Sequence, residues 1–344
     1  MWDPLSAIIE GLNRLLASFG VAVPGLDRLF YLAVFPGLLA IEGVLYFLIL
    51  FERKVIAKVN LRYGPLHVGR VGGVMQIMAD MLKFIQKEII VPSRADAFLF
   101  RALPVLMVIV ATVPIFVIPF GPNVFVTHYE ASGLLVLAIF YLYPLLFMLV
   151  GWSANNKYTL FGGLRIAYQF LAYEIPLFLS VASVFALARS FDLIDIIEAQ
   201  NSVWYLFLLP LGAIIFVISL LAELERKPFD IPEGEQEIVL GPLTEYTGIN
   251  FLLMMMADRT KILITSAYFA AIFLGGYTLP FPTPLPPYLI MFAKQVIIAF
   301  FIVFLNAIFP RIRIDHVIRV GWKYLMPLSL INLVLAFFVG GLLT

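Results

Sequence analysis

The 344-residue chain has no cysteine. That excludes disulfides, zinc held by thiolates and iron–sulfur clusters held by thiolates. Histidine is almost as scarce: His67, His128 and His316 are too scattered to make a metal site. Charge is the third shortage. Only 13% of residues are charged, against about 25% in a soluble globular chain. The net charge of +1 gives no electrostatic footprint for nucleic acid. Glycine-rich phosphate loops and the H-E-x-x-H zinc motif are missing too, so no self-contained catalytic site is expected. The opening stretch, MWDPLSAIIEGLNRLLASFG, lacks a basic leader and carries Asp3 and Glu10. It reads as an amphipathic segment near a membrane surface rather than a cleaved signal.

What the chain does have is apolar surface. It is 62% hydrophobic with a mean hydropathy of +1.00, more than a water-soluble core could hide, so its solvent is lipid. About 20 apolar residues span a bilayer. Apolar runs at 30–51, 98–120, 133–154, 160–187, 203–225, 249–275, 286–308 and 321–342 predict an all-α integral membrane protein with eight transmembrane helices. Residues 70–91 are too polar to span and predict an amphipathic helix in the first loop, with Asp80, Lys83, Lys87 and Glu88 on its polar side. No repeat or linker divides the chain, so 1–344 is read as one membrane domain.

Basic residues set the orientation. Arg53, Lys54, Lys58, Arg62, Arg70, Lys83, Lys87, Arg94 and Arg101 fall between the first two spans. Lys157 and Arg165 follow the third, Arg226 and Lys227 the fifth, and Arg311, Arg313, Arg319 and Lys323 the seventh. The alternate loops keep Arg14, Arg28 and Arg189. The expectation is a multi-pass protein of the cell membrane, with basic loops cytoplasmic and both termini outside.

Ionisable groups also fall inside predicted spans: Glu42, Arg165, Glu174, Glu223, Asp258, Arg259, Lys261 and Lys294. Each costs at least about 2.5 kcal/mol at mid-membrane unless paired or hydrated, and such groups mark ion paths; those near helix ends can instead snorkel to the interface. Glu174 is the hardest to place at an interface, since Tyr173-Glu174-Ile175-Pro176 sits mid-run and Pro176 frees a carbonyl one turn back. The stretch LAELERKPFDIPEGEQEIVLGPLTEYTG, 221–248, gathers Glu223, Glu225, Asp230, Glu233, Glu235, Glu237 and Glu245, with Asp258 close behind. One reading is a solvated helix cap, with Pro232 starting a helix whose first turn holds Glu233 and Glu235 and Gly241-Pro242 ending it. Against it, Arg226-Lys227-Pro228-Phe229-Asp230 is a basic-then-acidic turn with one large aromatic, an odd choice for a plain connector.

Four blocks carry a family resemblance. The first is Glu52-Arg53-Lys54 leading to Arg62-Tyr63-Gly64-Pro65 and on to Asp80 and Lys87-Glu88. Next come Gly151-Trp152-Ser153 to Asn156-Lys157-Tyr158, with Arg165 and Tyr173 to Pro176. The third runs from Ala222-Glu223 through Arg226, Pro228-Phe229-Asp230 and Glu237 to Glu245-Tyr246. The last is Pro310-Arg311, Arg313, Asp315 and Gly321-Trp322-Lys323. Together they resemble subunit 1 of respiratory complex I and the related membrane subunits of archaeal membrane-bound hydrogenase, sulfane reductase and coenzyme-linked dehydrogenase complexes.

The resemblance implies a "heel" subunit that is not catalytic alone and binds no cofactor of its own. It would dock iron–sulfur and hydrogenase-like hydrophilic subunits at Arg53, Lys54, Arg62, Arg226, Phe229, Asp230 and Arg311. Glu174, Glu223, Glu233, Glu235, Glu237, Glu245 and Asp258, tuned by Arg165 and Lys261, would form a path toward antiporter-like and small membrane subunits in the surrounding lipid. Asn60, Arg70, Glu225 and Asp258-Arg259 depart from the usual complex I pattern around the quinone chamber. Those departures favour a ferredoxin-linked archaeal relative, hydrogenase-like or sulfane-reductase-like. A quinone-reducing complex I is the alternative, and a stand-alone secondary transporter is the rival from another class.

Overall fold

The computed structural model describes residues 4–18, 26–69, 72–231, 234–281 and 284–342. Glu233 lies outside the described residues, as does the side chain of Glu235. The amphipathic opening segment forms α1 (Pro4–Ser18), followed by the short α2 (Leu26–Ala33) and the first long helix, α3 (Leu38–Val59). In the first loop the amphipathic stretch is α4 (Gln76–Gln86). Then come α5 (Ala97–Thr112), α6 (Ser132–Ser153) and α7 (Lys157–Ala188), the last running unbroken through Pro176. Two short helices, α8 (Leu193–Ala199) and α9 (Tyr205–Leu208), precede α10 (Pro210–Glu223). The acidic stretch holds one turn of helix, α11 (Glu235–Ile238), and a 3₁₀ turn that Gly241-Pro242 begins rather than ends. The chain closes with α12 (Gly248–Phe273), α13 (Pro287–Ile308), α14 (Ile314–Arg319), a π-helical turn at Val320–Leu325 and α15 (Met326–Leu342). Among the described residues there is no strand beyond one isolated bridge, Gly121 to Val124.

Each of the eight apolar runs is helical, and six are long and apolar enough to cross a membrane. The other two differ for separate reasons. The fifth run spends part of its length on α9, leaving α10 with 14 residues, about 21 Å at the helical rise and short of a bilayer core of about 30 Å. The sixth, α12, carries Asp258, Arg259 and Lys261. Its residues from Thr260 to Phe273 are all buried, so neighbouring helices shield it from lipid and polar groups are admissible on it. The bundle is built around this helix, which packs on α5 and α13, while α7 holds α6, α10 and α15.

The basic loops converge on one end. The backbone N–H of Ile312 donates to the Pro228 carbonyl (3.0 Å), that of Asp96 to Ser153 (3.0 Å), and the Thr247 hydroxyl to Glu88 (3.2 Å). The alternate loops meet at the other end, where Gly133 N–H donates to Phe191 (2.9 Å) and His128 Nε2 lies 2.7 Å from Asp192 Oδ2. The two families of loops are thus sorted to opposite ends of the bundle.

Candidate functional site

Beneath the basic-loop end lie two charge clusters, both hung on α12. The inner one centres on Lys261, which is 1% exposed. Its Nζ donates to the Glu223 backbone carbonyl (3.1 Å) and sits 3.1 Å from Glu223 Oε1, an ion-pair contact outside hydrogen-bond geometry. The faces of Tyr143 and Phe170 cover the ammonium, with centroids at 4.4 and 5.4 Å, an arrangement that stabilises a desolvated cation. Tyr143 donates its hydroxyl to Asp258. Glu174, partly buried on α7, lies within electrostatic reach of Glu223 and Lys261, and the Tyr141 hydroxyl donates to its backbone carbonyl (3.4 Å). Of the larger group expected from sequence, Glu174, Glu223, Asp258 and Lys261 are brought together here.

In the outer cluster, on the other side of α12, the buried Glu52 carboxylate faces two guanidiniums. Arg226 Nη1 donates to Oε1 (3.2 Å), and Arg259 Nε lies 2.9 Å from Oε2 in an ionic contact without hydrogen-bond alignment. Asn306 Nδ2 adds a longer bond to Oε1 (3.4 Å). Asp258 and Arg259, adjacent among the departures around the quinone chamber, are separated by the fold: Asp258 stays with Tyr143 and Arg259 turns to Glu52, because neighbouring positions on a helix point about 100° apart. Tyr143 and Asn306 were not singled out, and Glu52 appeared only at the head of a resemblance block, with no site role. An acid at the very end of a span, followed at once by two basic residues, was the available signal for Glu52; Tyr143 stands in an aromatic run with none.

The remaining predicted residues lie along the rim. Arg53 pairs with Asp80 of α4, which Gln76 also holds (2.8 Å). Burial pushes the Asp80 carboxyl up, but the hydrogen bonds from Arg53 and Gln76 and the charges of Arg53 and Lys83 outweigh it and leave it below the ordinary range. Lys54 approaches Gly72, and exposed Arg62 lines an open hollow with Arg53 and Tyr63. Arg165 donates to Glu237 (2.6 Å). That bond and the charges of Arg165, Arg311 and Arg313 hold the Glu237 carboxyl below its usual value against a small upward push from burial. Glu245 accepts from Asn156, which also caps α7. Arg311 donates to the Ile231 carbonyl (3.2 Å) and packs against Gly234, where any side chain would meet its guanidinium. Glu237 and Glu245 are therefore rim residues, separate from the inner cluster. Phe229 is buried edge-on against Tyr173 (5.0 Å), so it pins the loop from within while its neighbour Asp230 stays partly exposed. A narrow, largely apolar cavity of about 40 Å³ opens between α3, α4 and α12, lined by Ile49, Met81, Phe84 and Met256, with Arg53, Asp80 and Arg259 at its polar end. Among the described residues no group could hold a metal ion.

A family model described as NADH dehydrogenase matches residues 32–337. The chain belongs to this family. It is also similar to an NADH-quinone oxidoreductase subunit of Carboxydothermus hydrogenoformans, with 39% identity over 308 residues, 87% of this chain and 88% of that protein. Both clusters fall within the part the family covers.

Proposed function

We propose that this chain is the heel subunit of an ion-translocating redox complex, docking the iron–sulfur arm on its basic-loop face and passing the effect of electron transfer into the membrane. The observation that carries this reading is the charge group Glu174–Glu223–Lys261–Asp258, in which Glu223 and Lys261 are buried. One shared cluster compensates several buried charges at once, where isolated burials would each need separate partners. The rim charges Arg53, Arg62, Asp230 and Arg311 face a hydrophilic partner, with Arg226 behind them on Glu52, and partly exposed Glu174 opens the cluster to the flank of the bundle, where an antiporter-like subunit fits. A secondary transporter would need a midplane substrate site and broken helices; here the polar blocks gather at one end.

Two readings of the electron acceptor follow. The relative named as part of a quinone oxidoreductase, together with the apolar cavity between α3, α4 and α12, supports a quinone. The departures at Asn60, Arg70, Glu225 and Arg259 support a ferredoxin-linked, sulfane-reductase-like or hydrogenase-like member, since Arg259 puts a second guanidinium on Glu52 at the polar end of that cavity. Assaying the purified complex with quinone, protons and polysulfide as acceptors separates them.

The coupling role is tested in proteoliposomes holding the whole complex. Glu174→Gln is expected to leave assembly intact and lower the number of ions moved per electron. An unchanged ratio and rate would return Glu174 to a purely structural role.

A further inference from the structure

The seam where α7, α10 and α15 pack carries polar side chains that the coupling cluster does not use. Gln169 on α7 donates Nε2 to the Ala222 carbonyl (2.6 Å), while its buried Oε1 has no hydrogen-bond partner among the described residues. One residue on, both carboxylate oxygens of Glu223 lack a directed hydrogen bond. One turn further along α10, about 6 Å away at the helical rise, the hydroxyl of Ser219 is fully buried and also unpartnered. Toward the opposite end, Asn332 of α15 donates to Ser183 of α7 (2.7 Å) and lies against Gly212 of α10. Ser180 and Ser329 are buried one turn below these.

Serine and asparagine often serve simply as glue between membrane helices, and a serine on a helix commonly bonds back to its own preceding turn. Ser180, Ser183 and Ser329 do so, at 2.7, 2.5 and 2.7 Å. Ser219 does not. A buried hydroxyl or amide without a partner costs about 1–3 kcal/mol, and here Gln169, Glu223 and Ser219 follow one another along a single seam. In a polar site with room for it, water is the partner that satisfies such groups.

We propose that the α7–α10–α15 seam is a proton branch running from Glu223 past Ser219 to Ser183 and Asn332, toward the end of the bundle opposite the basic loops. This rests on the coupling reading of Glu223. A proton taken up by the Glu223 carboxylate leaves it for a seam water and moves from oxygen to oxygen through water and the Ser219 and Ser183 hydroxyls, each giving up one proton as it accepts another. Glu223 returns to the carboxylate paired with Lys261. The Asn332 amide, which donates to Ser183, positions that hydroxyl without relaying the proton. The seam suits a proton and excludes a hydrated metal ion, because a Cβ at Gly212 would already lie 2.7 Å from Asn332 Nδ2.

The test uses the intact complex in proteoliposomes. Ser219→Ala is expected to lower the proton-to-electron ratio with native yield and electron-transfer rate, whereas Ser219→Thr, which keeps the hydroxyl, retains the ratio. Asn332→Leu should lower it as well; if that variant fails to assemble, the Ser219 pair decides. A structure of the complex that resolves water should place one within hydrogen-bond distance of both Ser219 Oγ and a Glu223 oxygen. Native ratios in Ser219→Ala, or a dry seam with Ser219 bonded back to the Ile215 carbonyl, would overturn the proposal. If Glu174→Gln lowers the ratio while the seam variants do not, the coupling cluster stands and the branch alone falls.

Discussion

The two ends of the bundle treat buried charged groups in opposite ways, although Trp204 Nε1 and Tyr277 Oη at the far end also lack hydrogen-bond partners among the described residues. At the end away from the basic loops, Lys294 of α13 is saturated: its ammonium donates to the carbonyls of Leu274, Gly276 and Thr278 at 2.6–2.7 Å and lies under the ring of Trp204. Gln200 likewise makes four hydrogen bonds, to Ile196, Ala271, Tyr205 and Gly275, and Asp192 binds both His128 and Ser132. Beneath the basic loops, Glu223 and Arg259 are held by charge with poor hydrogen-bond geometry, and Gln169, Ser219 and Asn250 keep unpartnered buried atoms. A saturated donor set fixes one arrangement and closes the helix ends. An under-satisfied one leaves room for a proton, a water or a change of partner, so charge transfer is expected there.

The sharpest way to break this comparison is to remove the cation from the under-satisfied end. Lys261→Met leaves Glu223 buried without its counter-charge, and losing one partner of a buried pair costs about 3–5 kcal/mol. The expected outcome is a large drop in yield and thermal midpoint of the purified complex, largely recovered when Glu223→Gln is added. If the single variant is as stable as the native complex, the pair is not the centre of the cluster.

Lys294→Met probes the saturated end. Three carbonyls lose their donor, for a cost of about 1–3 kcal/mol. The ion-to-electron ratio of whatever assembles should be native. A change in that ratio would place the opposite end in the mechanism and erase the contrast.

The smallest effect concerns the rim. Glu237 is exposed, so its pair with Arg165 contributes no more than about 1 kcal/mol. Its carboxyl is held below the usual glutamate value of 4.5, first by the Arg165 hydrogen bond. Its contribution is therefore present above that value and lost as pH falls through the lower folded one. Hydrogen exchange over 235–243 should quicken as acid breaks the pair, and Arg165→Gln should remove that acid-dependent step while leaving exchange in α12 unchanged.

Composition and patterning determined the solvent, the all-α class and the sorting of loops. Those follow from summed apolar length and from where lysine and arginine can stay hydrated, and neither depends on which helix touches which. The amphipathic α4 was legible for the same reason: Asp80 and Lys83 fall one turn apart on one face. The acids of the inner cluster were legible too, because a carboxylate inside an apolar run is conspicuous wherever it packs. Tertiary structure alone decided the partners. That Arg259 turns to Glu52 while Lys261, two residues on, turns to Glu223 depends on the rotation of α12 in the bundle. That Tyr143 covers Lys261 depends on the packing of α6, and that Phe229 faces inward on how the loop folds over Tyr173. Partner choice is a matter of distances of a few ångströms between segments up to 254 residues apart, as with Asn306 and Glu52, and no local pattern in the chain encodes that.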